Sequence, residues 1–77
     1  MITLKEARLK NNLTQGELAR QIDSDQYTVA NIELGKTKPR KSTKLKIETA
    51  LNEQIDWNKT LIDGIIRSSK NRKHEND

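Results

Sequence analysis

The chain has 77 residues, of which 34% are charged and 3% aromatic, and 15 Lys and Arg against 11 Asp and Glu give a net charge of +4. A chain this short is expected to form one small domain, with a core that needs well-formed helices or a second copy for support, and to leave no room for a second domain. With no cysteine it has neither disulfides nor thiolate metal sites. It shows no secretory leader and no bilayer-spanning apolar run, so a cytoplasmic location without a membrane partner is expected.

In chain order, Thr3 and Glu6 have the spacing of a capping box, which predicts a helix from Leu4 to about Lys10 with Leu4 and Ala7 inward and Asn11-Asn12 as its end. Leu13 then stands as a hydrophobic staple before Thr14, which with Glu17 makes a second capping box for a helix reaching Ile22. Asp23-Ser24 is the joining turn, and Asp25 caps a third helix from Gln26 to Leu34. At about 100° per residue, Leu18, Ala19 and Ile22 share one face and Val29, Ile32 and Glu33 share another, so the two faces bury each other. Two short helices across so tight a turn make a helix-turn-helix, whose second helix is offered to the DNA major groove.

The opposite face of that second helix carries Tyr27, Ala30, Asn31 and Leu34, with Gln26 pointing outward at its start. Asn and Gln amides pair with adenine edges, and apolar groups meet the thymine methyl. The face is chemically suited to reading bases. Gly35 follows, placed to stop the helix in a left-handed conformation, and five of the fifteen basic residues, Lys36, Lys38, Arg40, Lys41 and Lys44, gather directly behind it. A basic, proline-containing loop is an ordinary solvated connection in many proteins. Beside this helix it reads better as a phosphate clamp that sets register on the duplex.

Ser42 is expected to cap a fourth helix to about Asn52, with Leu45, Ile47, Ala50 and Leu51 as its apolar face. After a link from Glu53 to Ile55, Asp56 caps a fifth helix that begins at Trp57 and carries Leu61, Ile62, Ile65 and Ile66. That stripe is wider than a small core needs. Either all of it closes the core, or Trp57, Leu61 and Ile65 turn inward and part is left for a partner. From Arg67 the sequence RSSKNRKHEND has no aliphatic residue and reads as a polar, disordered tail, solvated or serving as a basic arm through Arg67, Lys70, Arg72 and Lys73.

Catalysis finds no support. The sole histidine, His74, lies in the tail without an orienting partner, which argues against nucleophilic triads. Acidic residues are dispersed over caps and helix surfaces, so neither a two-carboxylate hydrolytic site nor a metal cage is indicated. Gly16-Glu17 belongs to no phosphate-binding loop. The expectation is a binder, not an enzyme, with no cofactor and no metal.

The combination of Thr14-Gln15, Glu17-Leu18-Ala19, Val29, Ile32, Glu33, Gly35 and Lys36-Thr37-Lys38-Pro39 resembles the Cro/C1-type, or Xre-type, helix-turn-helix family of phage repressors and small bacterial regulators, over about Leu4 to Gly64. The resemblance implies an all-α, five-helix, lambda-repressor-like DNA-binding domain over residues 1–66, followed by the tail at 67–77. By the same resemblance Arg8, otherwise a plain surface arginine, pairs with Glu33 near the end of the recognition helix. Gln26, Tyr27 and Asn31 match the family's base-reading positions. Gln15, Thr28, Lys36, Lys38 and Arg40 fall at or beside its phosphate contacts.

Two positions depart from the family pattern. Asp23 stands where the turn commonly has glycine, and Tyr27 replaces a small or polar base reader, leaving methyl contact, sugar stacking and water-mediated readout all open. The resemblance further implies a homodimer through the fifth helix, with Leu61, Ile62, Ile65 and Ile66 as interface candidates, on an inverted repeat with recognition helices about 34 Å apart. The function so implied is that of a sequence-specific regulator binding double-stranded DNA, a repressor in a phage, plasmid or other mobile element, whose control comes from expression level or a regulatory protein partner. An antitoxin of a toxin-antitoxin pair is the alternative, although the tail is poor material for wrapping a toxin. A protein-interaction module without DNA binding is a third reading, against which Gln15, Gln26, Asn31 and the basic loop all stand.

Overall fold

The computed structural model describes the backbone of residues 1–75 and the side chains of residues 1–69. Five helices follow one another: α1 (Leu4–Lys10), α2 (Gln15–Gln21), α3 (Gln26–Glu33), α4 (Lys41–Leu51) and α5 (Trp57–Glu75). No named strand occurs among the described residues, and an isolated parallel bridge joins Ile2 to Ile55. The fold is all-α, as expected.

Local chemistry sets the first three starts. Thr3 and Thr14 each accept the amide of the glutamate three residues on, while Glu6 and Glu17 reach back to the cap amides, so both capping boxes are complete. Asp25 accepts the Thr28 amide at 2.9 Å and caps α3. The connections turn through left-handed residues: Asn12 at φ 57°, Asp23 at 60° and Gly35 at 73°. Asp23 therefore does adopt the glycine-like geometry, which Asn and Asp tolerate better than other side chains. Asn52, at φ 51°, ends α4 in the same way.

The core collects Leu4 and Ala7 of α1, Leu18 and Ala19 of α2, Val29 and Ile32 of α3, and Ile47 and Leu51 of α4, together with Ile22 and Ile55. Leu4, Leu18, Val29 and Ile47 are fully enclosed, each worth about 1.5–3 kcal/mol of burial. Leu13, Ala50 and Trp57 pack on the rim. The N-terminus is stitched to the start of α5: the Leu4 amide donates to the buried Thr60 hydroxyl at 3.0 Å, and the Asp56 amide to the Ile2 carbonyl at 2.7 Å. Asp56 caps α5 through the Lys59 amide. Glu48 ties α4 to the same region by accepting from the Ile55 amide and the Trp57 indole.

Three expectations need correction. α4 starts at Lys41, not after Ser42, and its N-cap is Arg40, extended and with no side-chain cap. Leu45 is 66% exposed, because it sits about 200° around the helix from Ile47. In α5 the buried side is not the aliphatic stripe. Thr60 and Gly64 are buried, Leu61 and Ser68 are half-buried, and Ile65, expected inward, is 47% exposed.

α5 also continues past residue 66, where the sequence reading ended the folded domain. Nothing in RSSKNRKHE breaks a helix, and the Ser68 hydroxyl donates to the Leu34 carbonyl at 3.1 Å. The side chains proposed for a basic arm from Lys70 onward, and that of His74, lie outside the described residues, as does the end of the tail at 76–77. No helix among the described residues is long and apolar enough to cross a membrane.

A candidate DNA-reading face

α2 and α3 pack closely, and α3 lies against α5 behind it. The residues holding α3 in place form one buried network. Arg8 donates from Nε to Glu33 Oε2 at 2.7 Å and from Nη2 to Oε1 at 3.1 Å, while Nη1 donates to the Leu13 carbonyl at 2.8 Å. Both side chains are nearly excluded from water, at 8% and 2% exposure. Such a forked pair loses much of its Coulomb gain to desolvation. What it does supply is geometry, because the guanidinium plane fixes the carboxylate in two bonds, and with it the spacing of α1, the loop after it and the end of α3.

Gln15 joins the same network. Its Nε2 donates to Glu33 Oε1 at 3.1 Å, so the amide at the start of α2 is oriented by the last residue of α3. One N–H and the carbonyl of that amide remain for a ligand. Gln26, at the start of α3, reaches toward the start of α2: a Cβ built on Gly16 would lie 3.7 Å from Gln26 Oε1.

On the outer face of α3, Gln26 is exposed, Tyr27 is 79% exposed, and Ala30 and Asn31 are half-buried. Among the described residues no protein group bonds the side-chain amides of Gln26 or Asn31, so their donors and acceptors face outward unused. The Asn31 carbonyl accepts the amides of Lys36 at 2.9 Å and Thr37 at 3.4 Å, which folds the basic loop back onto α3. Lys36, Lys38 and Arg40 are all exposed. The single charged residue within α3 is Glu33, buried and matched by Arg8, and the exposed Asp25 carboxylate at its N-cap is engaged by Thr28.

Thr28 is placed differently from the other predicted contacts. Its hydroxyl donates to Asp25 Oδ1 at 2.9 Å, and its one hydrogen is therefore committed to the cap; a phosphate oxygen, which only accepts, requires that hydroxyl to turn away. The same two Thr28 bonds hold the Asp25 carboxyl below the usual carboxylate range, the backbone bond first, and Glu6 and Glu17 are lowered likewise by their capping threonines.

Behind α3, sequence reasoning passed over Gly64. A methyl added there would overlap the Glu33 carbonyl oxygen and come within 2.5 Å of the Gly35 amide nitrogen and the Leu34 carbonyl carbon. A glycine in a helix interior costs about 1 kcal/mol relative to alanine. That cost, in the middle of an otherwise aliphatic segment, was the available signal of a close approach. Leu9 was missed as well: it is 54% exposed and lines a shallow groove with Ile66, Lys5, Glu6, Asp63 and Arg67. No group of acidic, histidine or cysteine side chains suited to a metal occurs among the described residues.

Two comparisons, with curated proteins and with solved structures, find no match. A family model described as helix-turn-helix matches residues 4–58, which spans α1 to the first turn of α5 and takes in every residue of the face above.

Proposed function

Because the chain belongs to the Cro/C1-type helix-turn-helix family, a family that binds double-stranded DNA, we propose that it is a sequence-specific repressor acting as a dimer on an inverted-repeat operator. The observation that carries this reading is the outer face of α3, where Gln26, Tyr27 and Asn31 lie exposed or half-exposed with unused amide groups beside an exposed row of Lys36, Lys38 and Arg40. Amides of this kind discriminate bases by paired hydrogen bonds. The cations attach to any duplex and hold the register in which those amides meet base edges.

Each residue has a distinct part in this reading. Gln15, oriented by Glu33, donates its second N–H to a phosphate and braces α3. Gln26 and Asn31 read base edges, and Tyr27 presents its ring to a thymine methyl or a sugar. Lys36, Lys38 and Arg40 neutralise phosphates, and Thr28 lies at the groove wall with its hydroxyl shared with Asp25. Two copies meet through Ile62, Ile65 and Ile66 of α5, each about half-exposed, with Leu9 of α1 extending the apolar face. Leu61 sits deeper, lining a cleft with Ile32, Trp57 and Lys44, and supports the face from behind. The two-fold axis then sets the half-sites one helical turn apart.

Occupancy of a site that overlaps a promoter, which blocks polymerase, is the simplest output of such a binder. Transcription in vitro from a template whose promoter overlaps the bound site is expected to fall as protein is added. Unchanged or increased transcription at saturating occupancy would exclude repression.

A further inference from the structure

The side of α5 that faces the end of α3 includes two residues too small to fill space. Gly64 and Ser68 are one helical turn apart, and both meet the backbone where α3 ends. At Gly64 the two backbones are in direct contact, since a methyl there would come within 2.5 Å of the Gly35 nitrogen and the Leu34 carbonyl carbon. The approach is mutual: a methyl on Gly35 would lie 2.8 Å from the Leu61 carbonyl oxygen and 2.9 Å from the Ile65 nitrogen. Ser68 donates its hydroxyl to the Leu34 carbonyl at 3.1 Å, one of the carbonyls a helix end leaves without an internal partner.

The end of α3 is therefore gripped from two sides. Arg8 and Gln15 hold the Glu33 side chain, while Gly64 and Ser68 hold the backbone of residues 33–35. On α5 itself, Ile62, Ile65 and Ile66 are the neighbours of these two residues and stay about half-exposed. One rigid helix thus carries both the grip on the base-reading helix and the apolar face.

We propose that Gly64 and Ser68 are positioning residues for DNA reading: they fix the place and tilt of α3 relative to the apolar face of α5, and so the distance between the base-reading residues of two copies. The proposal rests on the reading of α3 as the DNA-reading helix. Neither residue touches DNA. A larger side chain at 64 cannot be absorbed by a rotamer change, because what it meets is backbone, so α5 or the end of α3 must move.

The test compares the full chain with Gly64→Ala and Ser68→Ala. Each is first checked for helix content and thermal midpoint, and then titrated well below that midpoint on the parent's selected duplex, on a scrambled duplex, and on duplexes with the half-sites moved by single base pairs. Ser68→Ala is expected to fold, to bind scrambled DNA as the parent does, and to lose about fivefold on the selected site, the worth of one net hydrogen bond. Gly64→Ala, where folded, is expected to lose about tenfold or more on that site, as when one good base contact is misplaced, and to shift or flatten the preference for spacing. A purely structural role would lower binding to all duplexes together, in step with the folded fraction.

Folded variants that keep the parent's ratio of selected to scrambled binding, and its spacing preference, would overturn the proposal. If Gly64→Ala does not fold, Ser68→Ala alone decides by the same ratio. A parent that selects one half-site removes the dimer, and the ratio on that half-site then tests the grip on α3. A parent without any sequence preference would overturn the underlying reading and this proposal with it, and that failure is recognised because it appears before any substitution.

Discussion

Asn31 and Lys38 have two different parts in the proposed reading, on one surface. Asn31 is half-buried on α3 with its amide unused, while its backbone carbonyl anchors the loop that carries Lys38. Replacing Asn31 by Ala is expected to cost roughly 1–3 kcal/mol on the selected site and little on random DNA. Replacing Lys38 by Ala should weaken binding to every sequence and reduce the salt slope by about one unit. A titration of both variants on both duplexes over a salt series separates the two roles. Equal losses for Asn31→Ala on selected and random DNA, or an unchanged slope for Lys38→Ala, would contradict the assignments. The Arg8, Glu33 and Gln15 network belongs to this scale too, and sequence reasoning saw only part of it. The ion pair was expected from resemblance, but the bond from Gln15 spans eighteen positions and depends on how α2 is set against α3, which no local pattern encodes.

At the scale of elements, what was legible was local. The two capping boxes, the Asp25 cap and the left-handed stops at Asp23 and Gly35 are decided by residues three or four apart, and each formed where expected. α4 was misjudged by a preference for serine as a cap, when the helix opens after Arg40 without any side-chain cap bond. In α5, Trp57 and Leu61 lean inward and Ile62 and Ile66 outward, as one of the two readings had it, but Ile65 does not turn in. The inner side holds Thr60, Gly64 and Ser68, whose value lies in letting two backbones approach and in bonding to helix ends, and a count of hydrophobic positions cannot register that.

The same caps give the fold a pH dependence. Glu6, Glu17 and Asp25 are held below their ordinary values by bonds to Thr3, Thr14 and Thr28. A carboxyl whose pKa is lower in the folded state stabilises the fold above its unfolded value, and that contribution is lost as the pH falls through the folded one. The thermal midpoint should therefore be flat near neutrality with respect to these groups and decline as the pH drops below about 4.5, the ordinary value for the two glutamates. Thr14→Ala should lower the midpoint at neutral pH by the equivalent of about 1 kcal/mol, the usual worth of such a cap, and should reduce the acid-dependent part. A midpoint that rises on acidification from pH 6 to pH 3 would show that these caps do not govern the response.

The whole molecule is a small helical body in which α1, α2 and α4 enclose the core while α3 and α5 turn their outer sides to solvent. One outer side is polar and flanked by cations, and the other carries the half-exposed Ile62, Ile65 and Ile66, the last sharing a groove with Leu9. Together the two suit a particle that doubles on itself and presents two α3 helices to one side of a duplex.

The most direct measurement is selection of binding sites from random duplex DNA by the purified chain. Enrichment of an inverted repeat whose half-sites lie about 10 base pairs apart, bound in preference to a scrambled duplex at physiological salt, is the predicted result. Binding that enriches no sequence and fades uniformly with added salt would contradict the claim that α3 reads bases.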